Sequence, residues 1–183
     1  MRLAYILYDG ITLLDFVGAY DPLSRLRSQG HLPDFGWDLC APTPTVADSF
    51  GLTVKVDKVR PDLAAYDVIY VPGGFGSRPL QRDEEFLTWL RTAARVPLKT
   101  SVCTGSLLLG AAGLLKGKRA TTHFNEYATL APYCEKVIEE DIVDEGAVIT
   151  AGAVATSLDL GLYLCRKWVG EEATEAIRRS MAY

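Results

Sequence analysis

Long apolar runs, paired cysteines and excess positive charge are all missing from this sequence, and each absence removes a class of function. No stretch of ~18 apolar residues occurs, which argues against a membrane span. The four cysteines, Cys40, Cys103, Cys134 and Cys165, are scattered without a C-x-x-C pair, and only two histidines accompany them. Neither a disulfide framework nor a zinc site is therefore expected. The formal net charge of −4 disfavours nucleic acid or an anionic membrane as the main partner. Internal repeats, low-complexity tracts and obvious linkers are absent as well. The opening segment carries a single cation, Arg2, before a short apolar run that ends in the turn dipeptide Asp9-Gly10. It reads as a first strand rather than a secretory signal, so a soluble cytoplasmic protein is expected.

What is present suits one domain over residues 1–183, with 49% hydrophobic and 23% charged residues. Apolar runs rich in Val, Ile and Tyr predict strands over Leu3–Tyr8, Trp37–Ala41, Leu52–Val56, Val68–Val71, Lys99–Val102, Arg119–Thr122 and Ala147–Thr150. Helices are predicted over Pro22–Gln29, Asp83–Ala94, Gly105–Ala112, Asn125–Ala131, Val154–Val169 and Glu171–Ala182. Asp21-Pro22 reads as a helix start, with a capping carboxylate before a first-turn proline. Val68-Ile69-Tyr70-Val71 lacks polar alternation, as expected of a parallel strand covered on both faces. The alternation of strands and helices implies an α/β fold with a mostly parallel sheet and helices on both sides. Ligands in such folds sit beyond the C-terminal strand ends, where the strand order reverses.

Three predicted strands end in chemically suggestive residues: Pro72-Gly73-Gly74, Cys103, and Thr121-Thr122-His123. In Ser101-Val102-Cys103-Thr104-Gly105-Ser106 a thiol stands where a strand turns into a helix. Unpaired N–H groups at a helix start lower a thiol pKa and bind anions, so Cys103 is a candidate nucleophile; a buried structural cysteine is the alternative. Glycines in Pro72-Gly73-Gly74-Phe75-Gly76 allow close backbone approach, and the N–H groups of Gly74 and Thr104 form a candidate anion hole. The same stretch also reads as a simple tight turn. It is neither a phosphate loop nor G-x-G-x-x-G.

Asp15, flanked by Leu13, Leu14, Phe16 and Val17, is expected to be partly buried. Desolvation would raise its pKa and let it hold a proton, unless it is only a helix cap. His123 could orient or protonate a reacting group, or be a hydrogen-bonded structural residue. Asp159 lies on an otherwise apolar helical pattern and either holds a neighbouring loop or faces a solvated edge. Cys40, Cys134 and Cys165 are assigned to packing or to chance.

The ordered set Val71-Pro72-Gly73-Gly74, Val102-Cys103-Thr104-Gly105, Ala120-Thr121-Thr122-His123 and Ala151-Gly152 with Asp159 resembles the ThiJ/PfpI superfamily across essentially the whole chain. The resemblance implies a flavodoxin-like three-layer sandwich, related to class I glutamine amidotransferases. It also implies a nucleophile elbow carrying Cys103, an adjacent acidic residue and a homodimer. Gly73, His123, Phe124, Gly152 and Asp159 become candidate pocket residues. Leu14-Asp15 followed by Gly18, with Cys103-Thr104-Gly105, looks most like the isonitrile hydratase branch, where an aspartate works with the cysteine. The protease-like branch has histidine after the cysteine, where this chain has Thr104. Glyoxalase and deglycase branches have glutamate where Asp15 stands. Gly18-Ala19 replaces the Gly-Pro of the branch, and Phe124 stands where tryptophan is common.

The activity this implies is hydration of an isonitrile to an N-substituted formamide without metal or organic cofactor. Cys103 thiolate would attack the isonitrile carbon to give a thioimidate, with Asp15 protonated at the start. Two alternatives use the same cysteine: attack on a small aldehyde such as methylglyoxal, and oxidation as a stress sensor. The fold also serves as the ligand-binding half of some transcription regulators, whose helix-turn-helix domain lies downstream; none is expected after Tyr183.

Overall fold

Strand and helix alternate along the chain because short β-branched and aromatic runs are spaced by longer stretches of helical periodicity. The computed structural model describes residues 1–183. It contains β1 (Arg2–Ile6), α1 (Leu13–Ser28), β2 (Gly36–Ala41), β3 (Thr45–Ala47), β4 (Thr53–Lys55), β5 (Lys58–Val59) and β6 (Val68–Val71). These are followed by α2 (Ser77–Leu80), α3 (Glu84–Arg91), β7 (Leu98–Val102), α4 (Gly105–Ala111), β8 (Arg119–Ala120) and α5 (Tyr127–Leu130). The C-terminal part supplies β9 (Lys136–Val137), β10 (Ile142–Asp144), β11 (Val148–Ala151) and α6 (Thr156–Met181).

The main sheet runs β10-β11-β7-β6-β1-β2-β5, parallel throughout except where β10 pairs antiparallel with β11. Its five longer parallel strands stand in the order β2-β1-β6-β7-β11, the flavodoxin-like order, with a reversal at β1. The register pairs Tyr5 with Tyr70, Val71 with Ser101 and Ala151 with Val102, so the C-terminal ends of β6, β7 and β11 arrive together. All four residues of β6 are buried, as its unbroken apolar run requires. Tyr5 meets Phe16 of α1 at 5.0 Å between ring centroids. Tyr8, which strand alternation turns the other way, meets Phe86 of α3 at 6.1 Å. Helices thus cover both faces. No helix is long and apolar enough to cross a membrane.

Several boundaries differ from the sequence reading. Helix α1 begins at Leu13, nine residues before the expected start, and carries Pro22 in its interior. The apolar face of Phe16, Ala19, Leu23 and Leu26 continues through the proline, and burial of that face outweighs the missing hydrogen bond. Leu52–Val56 contributes only β4, which pairs with β3 in a hairpin outside the main sheet. The Asp48 carboxylate accepts the N–H groups of Phe50 and Leu52 at 2.8 and 2.9 Å and closes that hairpin's turn. Arg119–Thr122 contributes only β8, paired with β9, because Thr121 and Thr122 turn away to hydrogen-bond elsewhere. The two expected C-terminal helices form one span interrupted at Gly170, whose φ of 81° and ψ of 177° are non-helical.

Helix α1 lies close along α6 through small residues. A Cβ on Gly161 would stand 2.5 Å from Pro22 Cγ and 3.0 Å from Ala19 Cα, and one on Gly18 would stand 2.0 Å from Ser157 Oγ. The Cys165 thiol donates to the Pro22 carbonyl at 3.6 Å across the same seam. Since Ala19 Cα is backbone, Gly161→Leu can be accommodated only by separating the helices. It is expected to destabilise the fold by about 1–3 kcal/mol, read as a lower urea midpoint at unchanged slope.

Candidate active site

Cys103 follows the last residue of β7 and takes a left-handed backbone conformation, φ 54°, before α4 begins at Gly105. That geometry is strained for a residue with a side chain and persists only when its surroundings hold it. The Cys103 N–H is shared between the carbonyls of Ala151 (3.0 Å) and Gly152 (2.7 Å), at the end of β11. Its carbonyl accepts the Thr122 hydroxyl at 2.9 Å and the Ser106 hydroxyl at 3.2 Å. Glycine is required at 105, where a Cβ would come within 2.0 Å of the Val71 carbonyl. The turn therefore presses against the end of β6 and presents the sulfur at the switch point.

Asp15, in the first turn of α1, is 0% exposed, and Cys103 is 4% exposed. The Gly73 N–H donates to Asp15 Oδ2 at 2.9 Å, and the Tyr70 hydroxyl donates to the Asp15 carbonyl at 2.7 Å. Oδ1 is buried without a partner of good geometry. Burial lifts the Asp15 carboxyl to about 7, against the lowering effects of the Gly73 N–H and the Cys103 thiol. Burial, joined by the charge of Asp15, pushes the Cys103 thiol up to about 12. The N–H and hydroxyl of Thr104 pull the thiol pKa down without reversing the shift. The helix start thus does not create a resting thiolate at neutral pH, because desolvation and the adjacent carboxylate outweigh it. Since each group acts on the other, the observable pKa values belong to the pair.

The expected anion hole also differs. The Gly74 N–H donates to Thr104 Oγ1 at 3.0 Å, and the Ser77 hydroxyl reaches the same oxygen at 2.9 Å. Gly74 is thereby committed to holding Thr104, while the Thr104 N–H faces the sulfur itself.

A cavity of about 270 Å³ opens over Cys103. Of the expected residues, Gly74, Thr104 and His123 border it together with Cys103. His123 Nδ1 accepts the Asn125 N–H at 3.2 Å, which orients the ring on the cavity wall. Gly73, Phe124, Gly152 and Asp159 do not line the cavity. Gly73 lies behind it holding Asp15, and Gly152 holds the Cys103 backbone. Phe124 is 61% exposed and stacks on His123 at 4.3 Å, so it supports the ring from outside. Asp159 accepts the Tyr183 hydroxyl at 3.0 Å and borders a different hollow with Arg166 and Arg178.

Sequence reasoning missed Thr12, Phe75, Arg78, Asn125 and Val154 on the cavity wall. Their positions follow from where three loops converge. The one available signal was Arg78, a cation two residues beyond the glycine-rich turn. No group of three or more His, Cys, Asp or Glu side chains could hold a metal ion.

Comparison with known proteins places this arrangement among relatives. The DJ-1/PfpI family profile matches residues 1–167. An isonitrile hydratase from Pseudomonas putida is 37% identical over 185 residues, covering 100% of this chain and 78% of that protein. An HTH-type transcriptional regulator from Pseudomonas aeruginosa is 32% identical over 165 residues, 87% of this chain and 48% of the regulator. The crystal structure of a ThiJ/PfpI family protein from Pseudomonas syringae superposes with a TM-score of 0.89 at 30% identity, covering 100% of this chain and 74% of that one.

The buried carboxyl carries a consequence for stability. An acid raised from 3.8 to about 7 on folding binds its proton more tightly in the folded chain. Its contribution is present at low pH and is lost as pH rises from about 4 to about 7, worth up to ~4 kcal/mol. Urea unfolding across this range should show the wild type losing stability relative to Asp15→Asn, whose amide can still accept the Gly73 N–H.

Proposed function

The chain belongs to the DJ-1/PfpI family, and from that premise we propose that it is a cofactor-independent enzyme hydrating a small isonitrile to an N-substituted formamide. The observation that carries the reading is the buried pairing of Asp15 with Cys103 beside a cavity of small-molecule size. The likeness to an isonitrile hydratase across the whole chain supports it.

The raised thiol pKa changes how the step begins. Cys103 enters as a thiol and Asp15 as the carboxylate. As sulfur bonds to the terminal isonitrile carbon, the thiol proton passes to Asp15, which delivers it to that same carbon. The product is a thioformimidate, R–N=CH–S–Cys103. Water then adds to this carbon, giving one proton to Asp15 while the nitrogen gains another. The C–S bond breaks, the formamide R–NH–CHO leaves, and the sulfur regains its proton from Asp15. The sum is R–NC plus water. Thr104, held by Gly74 and Ser77, keeps its N–H on the sulfur as charge develops there.

Three results check this reading. Purified protein should convert an alkyl isonitrile to its formamide, and Cys103→Ala should abolish the conversion; equal rates in the two proteins end the proposal. Asp15→Asn should lower kcat/KM by roughly 10²–10⁴-fold. Because the competent pair carries one proton, kcat/KM should rise with pH through about 7 and then level off. Lactate from methylglyoxal without formamide from any isonitrile would assign the same dyad to aldehyde chemistry instead.

A further inference from the structure

Arg78 is the single charged side chain among those bordering the cavity over Cys103, and the mechanism above makes no use of it. It sits on α2 immediately beyond the glycine-rich turn, with its guanidinium 4.9 Å from the centre of the Phe75 ring. Nη2 donates to Glu126 Oε1 at 2.6 Å, and the Thr129 hydroxyl holds the other Glu126 oxygen at 2.8 Å. Nε and Nη1 of Arg78 donate to no protein acceptor. On its far side Arg78 borders a second hollow of about 470 Å³, shared with Arg82, which forms no ion pair. The Arg78–Glu126 pair thus stands between the sulfur's cavity and a larger hollow that Arg82 and Glu126 also border.

A guanidinium with unused donors on a cavity wall is suited to a planar anion, because its fork matches two carboxylate oxygens. Thr12 and Asn125, also on the wall, add neutral polar groups and no competing negative charge. The cavity of about 270 Å³ is bordered by both Cys103 and Arg78, so one small molecule within it can bring an electrophilic carbon to the sulfur and an anion to the guanidinium. We propose that the substrate is an isonitrile carrying a carboxylate one or two carbons from the isocyano group, with Arg78 as its anchor. The proposal rests on the reading of Cys103 as nucleophile. Glu126 is then a competitor for Arg78 that the substrate's carboxylate partly replaces.

The test separates the anchor from the hydratase chemistry. Cys103 is alkylated at about pH 8 with iodoacetate and with iodoacetamide, which are similar in size and differ in charge. Each transfers its CH2 carbon to sulfur and releases iodide and a proton. The iodoacetate-to-iodoacetamide rate ratio should fall roughly fivefold in Arg78→Met and rise in Glu126→Gln, where the partner of Arg78 loses its negative charge. A ratio unchanged in both variants overturns the anchor. Isocyanoacetate should then exceed its neutral methyl ester in kcat/KM by about tenfold in the wild type, a preference lost in Arg78→Met. Preference for the ester overturns the proposal. Hydration of neither compound, with the alkylation ratio shifting as stated, removes the hydratase reading and leaves Arg78 as an anion site.

Discussion

A carboxyl group shut away from water sets the terms for everything around Cys103. Asp15 accepts one backbone N–H, that of Gly73, where a water-exposed carboxylate would have several partners. The resulting shift to about 7 makes it a group that exchanges a proton near neutrality. The same burial holds the neighbouring thiol in its protonated form. With both groups raised, the resting pair is not a thiolate beside a protonated acid, and the proton shared between them is what the proposed reaction would draw on. A buried thiol held in its neutral form is also less open to alkylation or oxidation than a free thiolate.

That carboxyl can be placed there only because glycine occupies position 73. A Cβ at that residue would stand 2.6 Å from the Thr104 nitrogen and 2.8 Å from Asp15 Oδ2. The end of β6 thus meets both the first turn of α1 and the first turn of α4 at backbone distance. The strained conformation of Cys103 is held in the same way, by carbonyls at the end of β11 on one side and by hydroxyls of Thr122 and Ser106 on the other. Strain of about 1–3 kcal/mol is within what such anchoring can sustain. Parallel register supplies the rest, because it delivers Val71, Val102 and Ala151 to one edge of the sheet.

Around this rigid centre the cavity wall is chemically mixed. Phe75 and Val154 are apolar, Thr12 and Asn125 are neutral and polar, and Arg78 brings charge. His123 is oriented by the Asn125 N–H and backed by Phe124, a buttress on the solvent side where a wall residue was expected. The wall comes from segments far apart in sequence, so it is assembled only when the loops beyond β1, β6, β7 and β11 converge.

The α/β alternation, the buried character of Val68–Val71, the break near Gly170 and the candidacy of Cys103 and Asp15 were legible in the sequence, because local periodicity and local chemistry carry them. The direction of the Asp15 shift followed from its apolar neighbours in the same way. Where α1 begins, which partner the Gly74 N–H takes, and the direction of the Cys103 shift were not legible. Each depends on groups that meet only after folding: Pro22 against Gly161, Thr104 against Gly74, Asp15 against the sulfur. The sequence by itself determined which residues have the chemistry for a site. Tertiary structure decided which of them are stripped of water and brought into contact, because desolvation and long-range hydrogen bonds do not exist in the unfolded chain.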